Sequence, residues 1–567
     1  MSDKDKIYPA VFPDLEQWPI YRLSEDREAF IKEINQFTLD RLMEKSNEEL
    51  NDMIAKTIYL ERNRIKGEPW KVDPPNEDIF WKKIRKKLVG NSLDRDHEEA
   101  RQSNEEILKK IINRYSEEIV GNFKIKTFKF ARKFLYSFFS RLLNTAAERN
   151  HRRLYGSKFH LYDRLKVYGE KEQVRTLFKK GTVVLVPTHF SNLDSILIGY
   201  AMDAVVGLPS FSYGAGLNLF NTGYTAYFMN RLGAYRLDRR KKNPIYLETL
   251  KAMSNLSIQR GTNSLFFPGG TRSRSGIVEN KLKMGLLGTA VEAQRANYEK
   301  GTNKKIFIVP LVLSYHFVLE AQFLIEQHLK KTGKELYLKS SDNSSSFRDI
   351  SKFIWKLFSK SSEIILSLGK PIDVLGNFVD EEGNSIDKRG KKIELQEYFM
   401  RYGVLKKDLQ REEEYTKILA DKIVERFHAE NIVLSSHLVA FAAFNLLAKQ
   451  NSNLDLYGVL RLPIEDYIFS KESLIPVVEQ LQEKLYLLET AEKVKLSKQI
   501  RLSAEALLED GIRKLGKFHA KKPLVFNKNQ QIVSEDFNVL YYYHNRLDHY
   551  NLSVGIQWTK YKLTIKE

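Results

Sequence analysis

The chain has 567 residues, 42% of them hydrophobic and 29% charged, and carries no cysteine. That length predicts two or three domains with a large core, and the missing cysteines exclude disulfides, thiolate metal sites and a cysteine nucleophile. A formal net charge of +20 narrows the partners to polyanions: nucleic acid, an anionic membrane surface or phosphorylated substrates.

Residues 1–6, Met-Ser-Asp-Lys-Asp-Lys, have no apolar core and read as no signal peptide. Residues 1–155 are expected to form a helical N-terminal region. Segments 28–63 and 98–150 carry apolar residues at helical spacing, separated by the proline-rich loop around Pro69, Pro74 and Pro75. Within it, Phe130, Phe134, Phe138 and Leu142 form one stripe, widened by Phe128, Leu135, Phe139 and Leu143. Lys124, Lys126, Lys129, Arg132, Lys133 and Arg141 surround it. Such a helix either lies in a lipid interface or packs its apolar face on the rest of the protein, the commoner fate of a wide stripe.

From 156 to 380 the texture becomes that of an α/β domain, a central mostly parallel sheet flanked by helices. Short apolar runs at 182–186, 263–267, 305–314 and 363–368 alternate with helical patterns. Residues 340–346 read as an exposed polar loop, and 379–392 as a charged hairpin or linker that closes this part. Residues 381–567 are expected to be mainly helical. The most apolar stretch, 432–448, contains Ser435, Ser436, His437 and Asn445. It is shorter than the ~20 residues a membrane span needs and reads as a buried helix, so a membrane, if met, is met from its surface. The aromatic segment 537–550 reads as core.

Three polar stretches could carry chemistry. Residues 181–202 run from a β-branched strand through a polar turn into an apolar helix, with His189 and Asp194 at the junction. The carboxyl end of a strand in an open α/β sheet is where sites form, and a carboxylate can orient an imidazole as a base. The competing reading is structural: Ser191-Asn192-Leu193-Asp194 also fits a helix-start cap. Residues 266–276, Phe-Phe-Pro-Gly-Gly-Thr-Arg-Ser-Arg-Ser-Gly, place Gly269 and Gly270 where backbone N–H groups can approach an anion. Thr271, Ser273 and Ser275 add hydroxyls, and Arg272 and Arg274 add forked cations; the alternative is a solvated basic turn. Arg236, Arg239 and Arg240 after Gly233 either join that anion site or belong to a solvated charge run with Lys241 and Lys242.

In this order and spacing the stretches resemble the glycerolipid acyltransferases. His189-Phe-Ser-Asn-Leu-Asp194 matches their His-x-x-x-x-Asp motif. Gly233-Ala-Tyr-Arg-Leu-Asp-Arg239, residues 267–276 and Ile308-Val-Pro-Leu-Val-Leu-Ser-Tyr315 resemble the second, third and fourth blocks. Tyr315-His-Phe-Val-Leu-Glu320 and Tyr542-Tyr-His-Asn545 look like the glycerol-3-phosphate/dihydroxyacetone-phosphate acyltransferase branch. The resemblance implies that His189 is the general base and Asp194 its orienter. It implies that Arg272, with Arg274, Arg239, Gly270, Thr271 and Ser273, holds the acceptor's phosphate, and that backbone N–H groups near the helix start meet the oxyanion. It implies no metal and no cofactor beyond the acyl donor, acyl-CoA or acyl-carrier protein. The acceptor is then a phosphorylated glycerol, and the protein a peripheral one on the cytoplasmic face of the cell membrane, held by anionic lipid, with no nucleic-acid partner. Lysophosphatidate or dihydroxyacetone phosphate as acceptor, or a non-catalytic membrane-surface protein on the same scaffold, are the alternatives.

Two positions depart from the pattern. Gly269 stands where the family usually has Glu, which changes acceptor choice, shifts the carboxylate's role elsewhere or signals lost activity. Asp238 stands where the branch usually has its first Arg, which leaves Arg239 as the position carried over.

Overall fold

The alternation of side chains along one strand sets the layers. In β2 (Gly181–Pro187), Val183 and Leu185 face a cluster with Leu438, Leu481 and Leu540, while Val184 and Val186 face another with Leu287, Ala290 and Phe427. A strand apolar on both faces belongs in the middle of a covered sheet. The computed structural model, which describes residues 7–70, 72–91, 97–134, 165–220, 223–332 and 363–558, places it there.

The sheet is completed by β1 (Leu165–Gly169), β3 (Ser212–Gly216), β4 (Ala234–Leu237), β5 (Ser264–Leu265), β6 (Lys305–Tyr315) and β7 (Ile364–Leu368), in the order β1-β7-β6-β2-β5-β3-β4. Every pair is parallel except β6 with β7, so β1 and β7 run against the other five. The expected mostly parallel α/β sheet is therefore present. Three of its strands were not expected. β3 and β4 lie in Gly-, Asn- and Arg-rich sequence, and β1 is a short segment of mixed polarity. Gly214 in β3 has its reason across the sheet, since a Cβ there would sit 2.8 Å from the Tyr235 hydroxyl of β4.

The helices Ser435–Gln450, Lys471–Thr490, Ala504–Lys514 and Phe537–His544 bury their apolar residues in the same cluster as Val183 and Leu185. The segments read as buried helix and aromatic core are so in the structure. On the opposite face, Pro244–Gln259, Met284–Glu299 and Leu409–Ala429 cover Val184 and Val186. The hairpin expected at 379–392 is a small antiparallel sheet of Phe378–Val379, Ser385–Ile386 and Lys392–Ile393.

The N-terminal helices Arg27–Met43, Asn47–Gly67, Glu77–Asn91 and His97–Ile119 form a further layer on Pro244–Gln259, burying Tyr246, Met253 and Leu256 with Ile54 and Ile111. The break inside 28–63 is made by Ser46, whose side chain accepts from the Glu49 N–H while its own N–H donates to Glu49 Oε2, a reciprocal cap that starts a new helix.

The described part of the aromatic stripe divides between the two readings. Phe128 packs edge-on against Trp18 at 5.0 Å, whereas Phe130 and Phe134 are 60% and 46% exposed. Leu135, Phe138, Phe139, Arg141, Leu142 and Leu143 lie outside the described residues, as does the loop 340–346. Among the described residues, no helix is long and apolar enough to cross a membrane.

Candidate active site

Because β2, β4, β5 and β6 run the same way, the four polar stretches that follow them emerge at one edge of the sheet. His189 follows β2, the Gly-Gly turn follows β5, Asp238 and Arg239 follow β4, and Tyr315 ends β6.

The His189–Asp194 pair forms. His189 Nδ1 lies 2.8 Å from Asp194 Oδ2, with the imidazole 14% exposed and Asp194 fully buried. The same Oδ2 accepts the N–H groups of Phe190 at 2.7 Å and Ser191 at 2.9 Å, and Oδ1 accepts the Tyr315 hydroxyl at 2.6 Å. Four donors on one buried carboxylate fix its position. A proton on Nδ1 donated to Asp194 leaves the Nε2 lone pair as the basic site. The ring stacks on Phe267, centroids 4.0 Å apart, which sets its plane. Burial, then the Asp194 charge, push the Tyr315 phenol far above its ordinary 10, so it remains a donor. The helix Asp194–Ala201 has no side-chain cap at its start; Asp194 serves the imidazole and the turn instead.

The N–H groups of residues 189–194 are occupied. His189 N–H donates to Glu279 Oε1, Asn192 N–H to Glu320 Oε1, Leu193 N–H to Ser191 Oγ and Asp194 N–H to Ser191 O, besides the two on Asp194 Oδ2. Among the described residues, the Ser195 and Ile196 N–H groups in the first turn of the helix donate to no protein atom, and they are what remains of the expected oxyanion donors at the helix start. The turn after β5 supplies others. Among the described residues, the Thr271 and Arg272 N–H groups donate to no protein atom, while Gly270, at φ +77°, turns the chain.

Arg272 is brought to the site. Its guanidinium is 3.4 Å from Glu320 Oε1, and Glu320 also accepts the Ser191 hydroxyl at 2.9 Å. Thr271 and Arg274 are exposed. Ser273 is tied into the loop: its N–H donates to His189 O at 2.7 Å and its hydroxyl to Ile277 O at 2.8 Å. A Cβ on Gly270 would lie 2.7 Å from Lys283 Cδ, so Lys283 adds an exposed cation beside the turn. Arg239 is exposed at the end of β4, three strand spacings from β2 or roughly 14 Å, which makes it the outermost of the expected anion ligands.

The other arginines of that stretch are not there. Arg240 pairs with Asp73 and Asp238 and lies over the Trp70 ring at 4.0 Å. Lys241 pairs with Glu118, and Arg236 donates to Asn230. With Arg64 on Glu61 and Glu77, Arg240 and Lys241 form a buried ionic seam between the N-terminal region and the sheet, neither solvated charges nor an anion site, while Arg236 bonds a neutral amide and Lys242 is exposed.

Four residues at the site were not singled out for a role in the sequence: Tyr315, Glu320, Glu279 and Arg546. The first two lie within a segment that carries the family resemblance; Arg546 directly follows another, Tyr542–Asn545, inside the segment read as aromatic core, and Glu279 has no local pattern. Arg546, 5% exposed, donates from Nε to Asn431 Oδ1 at 2.9 Å and from one terminal nitrogen to Leu313 O at 2.7 Å and Ser314 Oγ at 3.2 Å. Its guanidinium stands 4.3 Å from the Phe190 ring. Asn545 donates to Ser275 O at 2.9 Å, and a Cβ on Gly276 would fall 2.1 Å from Tyr542 O. The end of the chain thus braces both the His189 turn and the Gly-Gly loop. Among the described residues no cluster of three or more His, Asp or Glu side chains could hold a metal ion.

Burial pushes the Glu279 carboxyl up from 4.5 to about 7; the His189 N–H and Arg546 act against the rise, and Asp194 adds to it. Its folded pKa is raised, so its contribution to stability is full below pH 4.5 and is lost as pH climbs through 7. Glu279→Gln cannot ionise and is expected to match the wild type near pH 5 and to be more stable at pH 8.5, by roughly 3 kcal/mol. Urea unfolding at the two pH values measures this; an equal stability gap at both would show that Glu279 does not titrate as described.

The acyltransferase family profile matches residues 164–314. Over 268 residues the chain is 27% identical to the glycerol-3-phosphate acyltransferase of Aeromonas hydrophila, covering 46% of this chain and 29% of that one. The Alteromonas mediterranea glycerol-3-phosphate acyltransferase is 30% identical over 176 residues, 30% of this chain and 20% of that one. The Pseudomonas aeruginosa protein of the same name is 24% identical over 290 residues, 51% and 30% of the two chains. The matched part thus spans less than a third of each of these relatives. A solved 1-acyl-sn-glycerophosphate acyltransferase from Thermotoga maritima aligns at 14% identity over 67% of this chain and 96% of that one, with a TM-score of 0.23.

Proposed function

We propose that this chain, whose residues 164–314 match the acyltransferase family profile, moves a fatty acyl group from acyl-CoA or acyl-carrier protein to a hydroxyl of glycerol-3-phosphate. The observation that carries the reading is the His189–Asp194 pair at 2.8 Å, with Arg272 tied through Glu320 to the same turn. His189 Nε2 takes the proton of the acceptor hydroxyl as its oxygen attacks the thioester carbonyl. Asp194 holds the imidazolium that results. The tetrahedral oxyanion is met by the backbone N–H groups of Thr271 and Arg272. On collapse the C–S bond breaks and the imidazolium returns the proton to the leaving sulfur, so ester and thiol form without an acyl-enzyme.

In this reading Arg272 holds the acceptor's phosphate, with Arg274, Thr271 and Arg239 further out. The chain works as a peripheral protein on the cytoplasmic face of the membrane. Exposed Phe130 and Phe134, among Lys129 and Lys133, enter the interface of an anionic bilayer.

Purified protein is offered acyl-CoA or acyl-carrier protein with glycerol-3-phosphate, dihydroxyacetone phosphate or lysophosphatidate, and thiol release is followed. Release dependent on glycerol-3-phosphate is expected. Arg272→Ala should raise the KM for that acceptor at least tenfold while lowering kcat less. Release that favours either other acceptor would transfer the reading to that substrate. Binding to anionic vesicles with no release from any pair would replace it with the non-catalytic one that Gly269 motivates.

A further inference from the structure

The position at which the chain departs from its family is filled in space by another residue. Gly269 has no left-handed backbone angle that would demand glycine. A Cβ built there would meet Glu279 Cγ at 3.0 Å, Oε1 at 3.4 Å and Cδ at 3.7 Å. What a side chain at 269 would occupy is therefore the Glu279 carboxyl arm, arriving from ten residues downstream. Oε1 accepts the backbone N–H of His189 at 2.7 Å. Oε2 is out of solvent and has no hydrogen-bond partner among the described residues. A buried carboxyl with one oxygen unsatisfied costs stability, and such groups persist where a site needs them.

We propose that Glu279 is a positioning residue for His189, and that Gly269 and Glu279 are a matched pair in which the site's carboxyl has moved from the turn to position 279. This rests on the acyl-transfer reading of the site. With Oε2 out of solvent and Oε1 on the His189 N–H, Glu279 acts through the His189 backbone and not by touching the acceptor. The His189 backbone is held at both ends: its N–H by Glu279, and its carbonyl by the Ser273 N–H at 2.7 Å. Losing the first frees the turn that aims Nε2.

The pair predicts reciprocal rescue. Glu279→Ala is expected to lower kcat at least tenfold, with KM for glycerol-3-phosphate within about twofold. Gly269→Glu alone drives its Cβ against the Glu279 side chain and should lower kcat by a similar factor. In the double variant the new carboxyl can enter the vacated space, and kcat should return to within a few-fold of wild type. Glu279→Gln keeps an oxygen for the His189 N–H and the same volume, so it should retain more kcat than Glu279→Ala and confirm that the alanine variant's loss is one of alignment.

The His189 ring resonances, followed by NMR in the same four variants, read the proposal without turnover. Their chemical shifts should move in Glu279→Ala and return in the double variant. A wild type that transfers no acyl group but shows this pattern sinks the acyl-transfer reading and leaves the pairing standing. Full kcat in Glu279→Ala overturns the pairing, as does a folded double variant no better than its worse parent in both kcat and ring resonances.

Discussion

His189→Ala is expected to lower thiol release by at least a hundredfold, within the 10²–10⁴ that a positioned general base supplies, and to leave the unfolding midpoint nearly unchanged. The fold can spare the ring: its side chain is 14% exposed, and it makes one hydrogen bond and one stacking contact. Its removal leaves Asp194 with three donors, from Phe190, Ser191 and Tyr315. Asp194→Ala should behave differently. It takes the acceptor from four buried donors, each costing about 1–3 kcal/mol when orphaned, so activity and stability fall together. Asp194→Asn separates the two effects. Its carbonyl can still meet the backbone N–H groups, but it cannot balance an imidazolium, so kcat falls while most of the stability remains. The pair is measured by thiol release beside urea unfolding. Wild-type kcat in His189→Ala would remove the imidazole from the mechanism.

The parts of this site that could be read in advance are those the chain writes locally. A strand that is apolar on both faces, then a polar turn, then an apolar helix places His189 and Asp194 by sequence distance alone, because four intervening residues close one turn. The Gly-Gly turn after β5 is local in the same sense. Glu279 is not: it reaches the site through the space above Gly269 from a segment with no pattern of its own. Arg546 is not either, because the aromatic pattern of 537–550 marks core without marking which distant turn it packs on. The departure at Gly269 was visible, but its cause lay in a contact that no local pattern encodes. The basic run at 239–242 shows the opposite failure. Arg240 and Lys241 look solvated because their partners, Asp73 in an N-terminal loop and Glu118 in an N-terminal helix, are distant in sequence. β3 and β4 escaped notice because strands at this edge are built from Gly, Tyr and Arg, which satisfy cross-strand packing such as Gly214 under Tyr235 without an apolar run.

Arg546→Met should produce the largest combined loss of stability and activity of any single change outside the His189–Asp194 pair. Burial lowers the guanidinium from its ordinary value to about 10, so it stays charged at neutral pH inside the protein. Its hydrogen bonds to Asn431, Leu313 and Ser314 join the end of the chain to the last turn of β6, and its flat face covers Phe190. Methionine fills much of the volume but orphans the Leu313 carbonyl and the Asn431 amide oxygen, at about 1–3 kcal/mol each. A loss of about 3 kcal/mol or more follows, measured as a lower urea midpoint. Activity should fall further than stability explains. Leu313 lies two residues before Tyr315, the donor to Asp194, and Phe190 adjoins His189, so a slackened clamp disturbs both neighbours of the imidazole. It also removes the positive charge that favours ionised Glu279. Arg546→Lys keeps the charge but offers one ammonium where a planar fork reaches two separate elements, and it should recover less than half of the lost stability. A lysine variant equal to wild type in both measurements would show that charge alone, and not the bridge between β6 and the C-terminal helix, is what position 546 contributes.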